Sequence, residues 1–368
     1  MEYVQERVTT LHDLGGADPT APTGRAAVVV PLTEREHAGL AAERVFSELE
    51  AVDPARVVVP LRASADRVTA VREWLAGFDL RLDTLWCDGP RLADLLGSAG
   101  LNGARGKGRD VWLALGRALA DDDAEFVAVH DADTASYSRS YVRRLLFPLT
   151  REFAFSKGYY ARVETDRLYG RLFRLLYAPL VRALADAHAE PFLRYLESFR
   201  YALAGEFAAT REVVESLRVP RTWGLEVGTL ADAYDAVGAD ACAQVDLGNY
   251  EHDHRAVSGP TGLSEMSESV ADTLARAVEA HGVAPDYDTL ADRYREAGDA
   301  LVRSYAADAA FNDLSYDRAD ERRQVETYAD AVGPPGDDDR LPAWTDAPVS
   351  PDEVVAAAGA DADEAAGR

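Results

Sequence analysis

Phe126-Val127-Ala128-Val129-His130-Asp131-Ala132-Asp133 is an apolar run of strand-forming residues that ends in two carboxylates two positions apart. Such a run reads as a buried strand that delivers acid groups to the rim of a sheet. Alternate positions of an extended segment point to opposite faces, so Asp131 and Asp133 reach one divalent ion only where the strand has turned into a loop. Thr134, Ala135 and Ser136 supply that turn. Mg2+ and Mn2+ favour oxygen ligands and bind through one or two carboxylates plus substrate phosphates, which makes a nucleoside diphosphate the natural partner. The same Asp-x-Asp is equally a candidate N-cap for a helix starting near Ser138, and the rest of the chain has to decide between the two readings.

Upstream, Ala26 to Pro31 reads as a first buried strand, and Leu32-Thr33-Glu34-Arg35-Glu36 follows it with Thr33 and Glu36 spaced as a capping box for a helix running to about Glu50. Arg56 to Pro60 and Leu82 to Cys87 are further strands, with a helix from Ala65 to Phe78 between them. Strands alternating with amphipathic helices predict an α/β fold: a mostly parallel sheet, helices on both faces, and ligands beyond the carboxyl ends of the strands. Downstream, the pattern predicts a strand over Phe153 to Arg162, a long helix over Asp166 to Ala187, a small-residue turn at Leu203-Ala204-Gly205-Glu206, a helix opening at Thr222, and a last strand from Ala241 to Leu247.

At 368 residues and 47% hydrophobic content, the chain has material for one large α/β domain with additions. A net charge of −25 argues against a nucleic-acid partner, because phosphate backbones need clustered Lys and Arg. Acid-rich, Ala-rich sequences nearly devoid of Lys suit a cytosol of very high salt, where a Debye length of roughly 3 Å screens self-repulsion. Only Lys107 and Lys157 are lysines, and each precedes a glycine, so a local role is expected for both. The two cysteines, Cys87 and Cys242, point to a reducing cytoplasm without a disulfide framework. No run approaches the 18 or so apolar residues of a membrane helix.

Two loops stand out. Leu101 to Gly108 is Gly-rich and ends in Gly106-Lys107-Gly108, where glycine neighbours would let the ammonium approach a phosphate or base; its spacing is neither that of a P-loop nor that of a dinucleotide fold. Gly248 to Arg255 carries His252 and His254. A loop histidine pair is either solvated surface or a set of ligands, and after a strand of the same sheet it is placed to close on the ion held by Asp133. Residues 1–24 read as an arm, 261–332 as helices that pack back on the domain or pair two chains, and 333–368 as an acidic, disordered tail.

In register, Pro31 to Glu34, Gly106 to Gly108, Asp131 to Asp133, Lys157 to Tyr159, Gly170-Arg171, Leu203 to Glu206, Trp223 to Gly228 and Ala243 to His252 resemble the retaining glucosyl-3-phosphoglycerate synthases and their mannosyl relatives. The likeness covers residues 25–260, with the nucleotide part about 25–133 and the acceptor part about 134–260. It implies a glycosyltransferase of the GT-A fold, a divalent Mg2+ or Mn2+, a nucleotide-sugar donor (UDP-glucose or GDP-mannose) and a small anionic acceptor such as 3-phosphoglycerate; a homodimer is expected from the helical C-terminal third. By the same resemblance, Pro31, Leu32, Thr33, Glu34, Ser64, Lys107, Asp131 and Ala132 line the donor, with Lys107 near the base and the diphosphate. Asp133 and His252 hold the metal, and Glu226 contacts the transferred sugar. Gly170, Arg171, Leu203, Ala204, Gly205, Tyr250 and His254 fall on the acceptor side, and Asp133, Glu226 and Arg171 are the residues implied to matter most for catalysis.

Departures from the family pattern fall on the acceptor side. Phe173 stands where the family has a Thr, Tyr250 where it has an Arg, and His254 where it has an Asn. Losing an Arg matters where a planar fork grips a carboxylate or phosphate. Pro60-Leu61-Arg62-Ala63-Ser64 also lacks the family's usual Asp for the nucleobase. The rival readings are a sugar-phosphate nucleotidyltransferase, which also sets Asp-x-Asp near a Gly-rich Lys loop, and a catalytically silent nucleotide-sugar binding protein.

Overall fold

The computed structural model describes residues 6–14, 16, 18–253 and 260–367. Its strands are β1 (Thr9–Leu11), β2 (Ala26–Val29), β3 (Leu32–Thr33), β4 (Arg56–Arg62), β5 (Leu82–Trp86), β6 (Phe126–Val129), β7 (Phe155–Ala161), β8 (Val163–Glu164), β9 (Arg167–Leu168), β10 (Phe207–Thr210) and β11 (Cys242–Asn249). Among the described residues nine of them form one sheet in the order β1-β11-β7-β10-β6-β2-β4, with β3 continuing the line of β2 along β4 and β5 on the other side of β4. All its pairings are parallel except those of β10, which runs antiparallel between β6 and β7.

Period-2 alternation sends successive strand residues to opposite cores. Ala27, Val29, Val127 and Val129 join one buried cluster, with the helices Lys107–Leu119, Ala178–Ala185 and Leu225–Val237. Ala26, Val28, Phe126 and Ala128 join the other, with the helices Leu40–Val52, Ala65–Leu75 and Ser140–Leu149. Each fully buried Val or Leu side chain contributes roughly 1.5–3 kcal/mol, so both faces are strongly specified. This is the α/β arrangement that the strand and helix pattern predicts.

Several elements differ from the sequence expectation. The arm contributes β1, which pairs in parallel with β11. Thr33 and Glu36 do close on each other, Glu36 Oε2 accepting from Thr33 N at 2.7 Å, but the turn does not propagate and the helix begins at Leu40 after Gly39. The expected helix over Asp166 to Ala187 starts late: Thr165 and Asp166 take left-handed φ angles of 44° and 60° that turn β8 into β9. After Gly170 a π-helical stretch, Leu172–Tyr177, leads into the helix Ala178–Ala185.

The C-terminal helices Pro260–Ala280, Tyr287–Phe311 and Arg318–Ala329 pack back on the domain, with Leu274, Val278, Tyr294, Val302, Val325 and Tyr328 buried in its first cluster. The acidic end is not disordered. Leu341, Val349, Val354, Ala358 and Ala362 are buried, and Pro351–Ala365 is a helix opened by a Ser350–Glu353 capping box. Its Asp and Glu residues sit mostly on the solvent side, which is why composition hides an amphipathic segment.

Candidate active site

The C-terminal end of β6 delivers Asp131 and Asp133 to the rim, and four other segments meet them there. Lys107 opens the helix Lys107–Leu119, and Glu226 lies in the first turn of Leu225–Val237. Lys107 Nζ lies 2.7 Å from Asp131 Oδ1 and 3.3 Å from Glu226 Oε1, so one ammonium joins two carboxylates from distant segments. Burial works against that ammonium, but Asp131 and Glu226 outweigh it and hold Lys107 above its ordinary pKa. Two helix N-termini and a fixed cation facing one spot favour an anion.

Asp133 belongs to a second pair. His252, after β11, bridges in antiparallel fashion to Thr134, and His252 Nε2 lies 2.9 Å from Asp133 Oδ2. The Tyr250 hydroxyl donates to Asp133 Oδ1 at 3.4 Å, and Asp253 N donates to the Asp133 carbonyl at 2.9 Å. Burial disfavours the imidazolium, yet Asp133 outweighs it and His252 sits above its ordinary pKa; burial likewise works against the carboxylate, and His252 reverses it so that Asp133 sits below. Among the described residues no cluster of three or more His, Cys, Asp or Glu side chains is placed to hold a metal. One carboxylate and one imidazole converging at the rim fit an ion that completes its shell with substrate oxygens. The helix after the Asp-x-Asp begins at Ser140 with Arg139 as its N-cap, so the carboxylates are not spent on capping it.

On the donor side, Pro31 to Glu34 runs along the end of β4. Glu34 Oε2 accepts from Ser64 N at 2.8 Å and from Ser64 Oγ at 2.7 Å, which joins two of the residues implied for the donor. Those hydrogen bonds hold the Glu34 carboxyl below its usual pKa. Arg35, Glu36 and Gly39 border a cleft whose other wall is Asp133 and Asp253. Leu32 and Ala132 are buried and shape the floor. The glycines around Lys107 serve the protein itself: a Cβ on Gly106 would meet Arg221 O and Thr222, and one on Gly108 would meet Pro220 O. Close backbone packing, rather than an approaching ligand, requires them.

Beneath the rim lies a layer that sequence reasoning missed. Glu206 is fully buried, and neither carboxylate oxygen has a hydrogen-bond partner. Burial, with Asp131 adding to it, pushes Glu206 up to about 8. Lys157, also buried, donates to the Ala204 carbonyl at 2.6 Å, and burial pushes it down to about 8. His130 has no partner at either ring nitrogen, and burial pushes it down to about 3, so it is neutral. Gly205 passes so close above Asp131 that no side chain fits there. The sequence signals for this layer were the rarity of lysine and the small-residue turn at Leu203 to Glu206; neither indicated its burial.

With this geometry in view, the comparisons are decisive. The chain is 33% identical to glucosyl-3-phosphoglycerate synthase of Methanococcoides burtonii, covering 94% of this chain and 93% of the relative. It is 37% identical to glucosyl-3-phosphoglycerate synthase of Persephonella marina, covering 83% and 79%. This chain belongs to the glucosyl-3-phosphoglycerate synthase family. No family model matches it. Among solved structures it is similar to the Mycobacterium tuberculosis glucosyl-3-phosphoglycerate synthase in complex with Mn2+, UDP-glucose and phosphoglyceric acid, with TM-score 0.57, 25% identity, and 77% and 90% of the two chains covered. The fold is that of these synthases, and the chain is a glycosyltransferase.

The residues that the resemblance implies for the acceptor are placed as follows. Gly170 has φ of 74° and packs on Tyr201. Arg171 is held by carboxylates of the helix Arg318–Ala329, with Nε 2.9 Å from Glu321 Oε1 and a short contact to Asp320, and Arg174 binds the other oxygen of Glu321 at 2.7 Å. Phe173 packs on Tyr177 and Tyr201, and Tyr250 stacks on Tyr160 with ring centroids 4.3 Å apart. Ala204 is buried and Leu203 half-buried next to the Gly205 strand entry. His254 lies outside the described residues.

The buried carboxyl gives a pH prediction. Glu206 is raised from about 4.3 in the unfolded chain to about 8 in the fold, so the native state binds the extra proton and this group's contribution to stability falls as pH rises through that window. Glu206→Gln imitates the protonated form. The melting temperature of the variant minus that of the wild type is expected to increase from pH 5 to pH 8 and then level off. A difference that does not vary with pH would show that Glu206 is ionised in the fold.

Proposed function

We propose that the protein transfers glucose from UDP-glucose to the free hydroxyl of 3-phosphoglycerate with retention at the anomeric carbon, using Mn2+ or Mg2+. The observation that carries this reading is the meeting of Lys107, Asp131, Glu226, Asp133 and His252 at one strand rim, in a chain whose relatives carry that activity as their name. Asp133 and His252 would hold the ion, which when bound neutralises diphosphate charge and orients the leaving group. Lys107 exchanges Asp131 and Glu226 for phosphate oxygens and keeps its charge throughout, held first by the two carboxylates and then by the negative diphosphate. Asp131 and Glu226, freed from Lys107, accept hydrogen bonds from the ribose and the transferred sugar. With Asp131 and Glu226 engaged by hydroxyls of the donor, the departing diphosphate takes the acceptor's proton and positioning supplies most of the rate.

The setting that fits is a cytoplasmic enzyme of a salt-rich cell: the net charge is −25 and both cysteines are buried and free. No helix among the described residues is long and apolar enough to cross a membrane. A homodimer is part of this reading, and Phe311, 91% exposed at the end of a long helix, offers an apolar point for it. The test is turnover in molar salt with UDP-glucose or GDP-mannose crossed with 3-phosphoglycerate, with and without Mn2+. Metal-dependent formation of glucosyl-3-phosphoglycerate is expected. Pyrophosphate release from a nucleoside triphosphate plus sugar phosphate would overturn it in favour of nucleotidyl transfer.

A further inference from the structure

On the proposed reading the acceptor is an anion, and among the described residues few cations lie near Gly170 and Tyr250. Arg171 already has two carboxylates, Asp320 and Glu321, from the same chain. Position 250 is a tyrosine. Arg162, just beyond β7, occupies the space between these two places. Its guanidinium carbon lies 5.0 Å over the Tyr250 ring, its Cδ approaches to 3.5 Å of the spot where Gly170 would carry a Cβ, and its Nη1 reaches the Tyr201 hydroxyl at 3.5 Å. Its Nε is buried and has no hydrogen-bond partner, and Arg162 forms no ion pair with a carboxylate of the described residues.

A half-buried guanidinium whose Nε is buried without a partner, beside tyrosine rings and one long hydroxyl contact, is short of partners, and an anion would satisfy it. Cation–π contact with Tyr250 fixes the plane of the fork without spending its N–H donors. Tyr250 also ties the fork to the chemistry, because its hydroxyl touches the metal-binding Asp133.

We propose that Arg162 is the cation that grips the carboxylate or phosphate of the acceptor, with Tyr250 as its supporting plate, while Arg171 serves to fasten the helix Arg318–Ala329. This rests on the reading of the chain as a glucosyltransferase acting on a small phosphorylated hydroxy acid.

The test is calorimetric titration of 3-phosphoglycerate into the full chain loaded with Mn2+ and UDP, beside turnover with UDP-glucose, for wild type, Arg162→Lys, Arg162→Ala and Arg171→Ala. Arg162→Ala is expected to weaken 3-phosphoglycerate about tenfold to hundredfold, the range for a hydrogen-bonded charge, and to leave UDP affinity within about twofold. Arg162→Lys keeps the charge without the fork and should recover part of the loss; it also stands in if the alanine variant does not fold. Uncharged hydroxyl acceptors should respond to neither change. Unchanged 3-phosphoglycerate affinity in folded Arg162 variants, or a loss carried wholly by Arg171→Ala, overturns the assignment. A wild type that binds 3-phosphoglycerate through Arg162 but forms no glucosyl product would instead defeat the transfer reading.

Discussion

Asp133→Ala is expected to abolish metal-dependent binding of UDP and to lower glucosyl transfer at least about a hundredfold, as the loss of the main anionic ligand of a divalent ion demands. The pair at the rim consists of this carboxylate and His252 Nε2, 2.9 Å apart. An imidazole alone, with diphosphate oxygens, leaves a hard cation short of negative charge. His252→Ala should act more mildly, raising the Mn2+ concentration needed for half activity while the carboxylate remains. The alanine at 133 costs the fold little, because the contacts it removes are those to His252 and Tyr250 and the backbone bridge of Thr134 to His252 stays. Titration of UDP in the presence and absence of Mn2+ separates the outcomes. Equal, metal-independent affinity in wild type and Asp133→Ala would remove the ion from this rim.

The strand Phe126–Val129 was legible because a buried strand in a parallel sheet must be apolar on both faces, and the carboxylates at its end had nowhere to go but the rim. Lys107 and His252 were legible for related reasons, one as a rare lysine and the other as a loop residue after a strand. The structure brings both to Asp131 and Asp133. The surroundings of Arg171 and Arg162 were not legible, because their electrostatics are set by partners far away in sequence. Arg171 is neutralised by residues about 150 positions later, and nothing near Arg171 announces Glu321. Arg162 is an ordinary residue at a strand end until Tyr250 and Gly170 are folded around it. Glu206 and Lys157 read as a turn and a strand, since burial of a charged group depends on layers that local pattern does not record. The glycines beside Lys107 carried a true signal of close approach, but the approaching group is the backbone of Pro220 and Arg221.

The acidic C-terminus gives the second large effect. Trp344 stacks on Trp112 with centroids 4.2 Å apart and planes 14° from parallel, Trp344 Nε1 donates to Trp112 O, and Trp112 Nε1 donates to Pro342 O, each at 2.8 Å. Trp112 lies on the helix that Lys107 opens, so the stack braces the element that presents the Lys107 ammonium to Asp131 and Glu226. A second tie runs through Arg221, whose Nε donates to Asp339 O at 2.6 Å and whose Nη1 donates to Leu101 O at 3.1 Å, at the start of the Gly-rich loop. A third is Asp361, buried, accepting from Arg91 N and Leu92 N at 3.0 Å each and so capping the helix Pro90–Ser98 from the far end of the chain. Trp344→Ala should therefore destabilise the protein by about 3 kcal/mol, the low end for removing a packed Trp, since this one is only partly buried. Removing residues 337–368 should do much more, because it strips the cover from Trp112, uncaps Pro90–Ser98 and frees Arg221 at once. For a chain of this size each kcal/mol moves the melting temperature by about 2 °C, so both changes are measurable in a thermal scan at molar salt. The donor KM should rise in Trp344→Ala along with the loss of stability, because the helix and the Lys107 loop are held by the same contacts. An unchanged melting temperature in the truncated chain would show that the acidic end does not cover the domain, whereas a lowered one with an unchanged donor KM would confine its role to stability and free Lys107 from dependence on it.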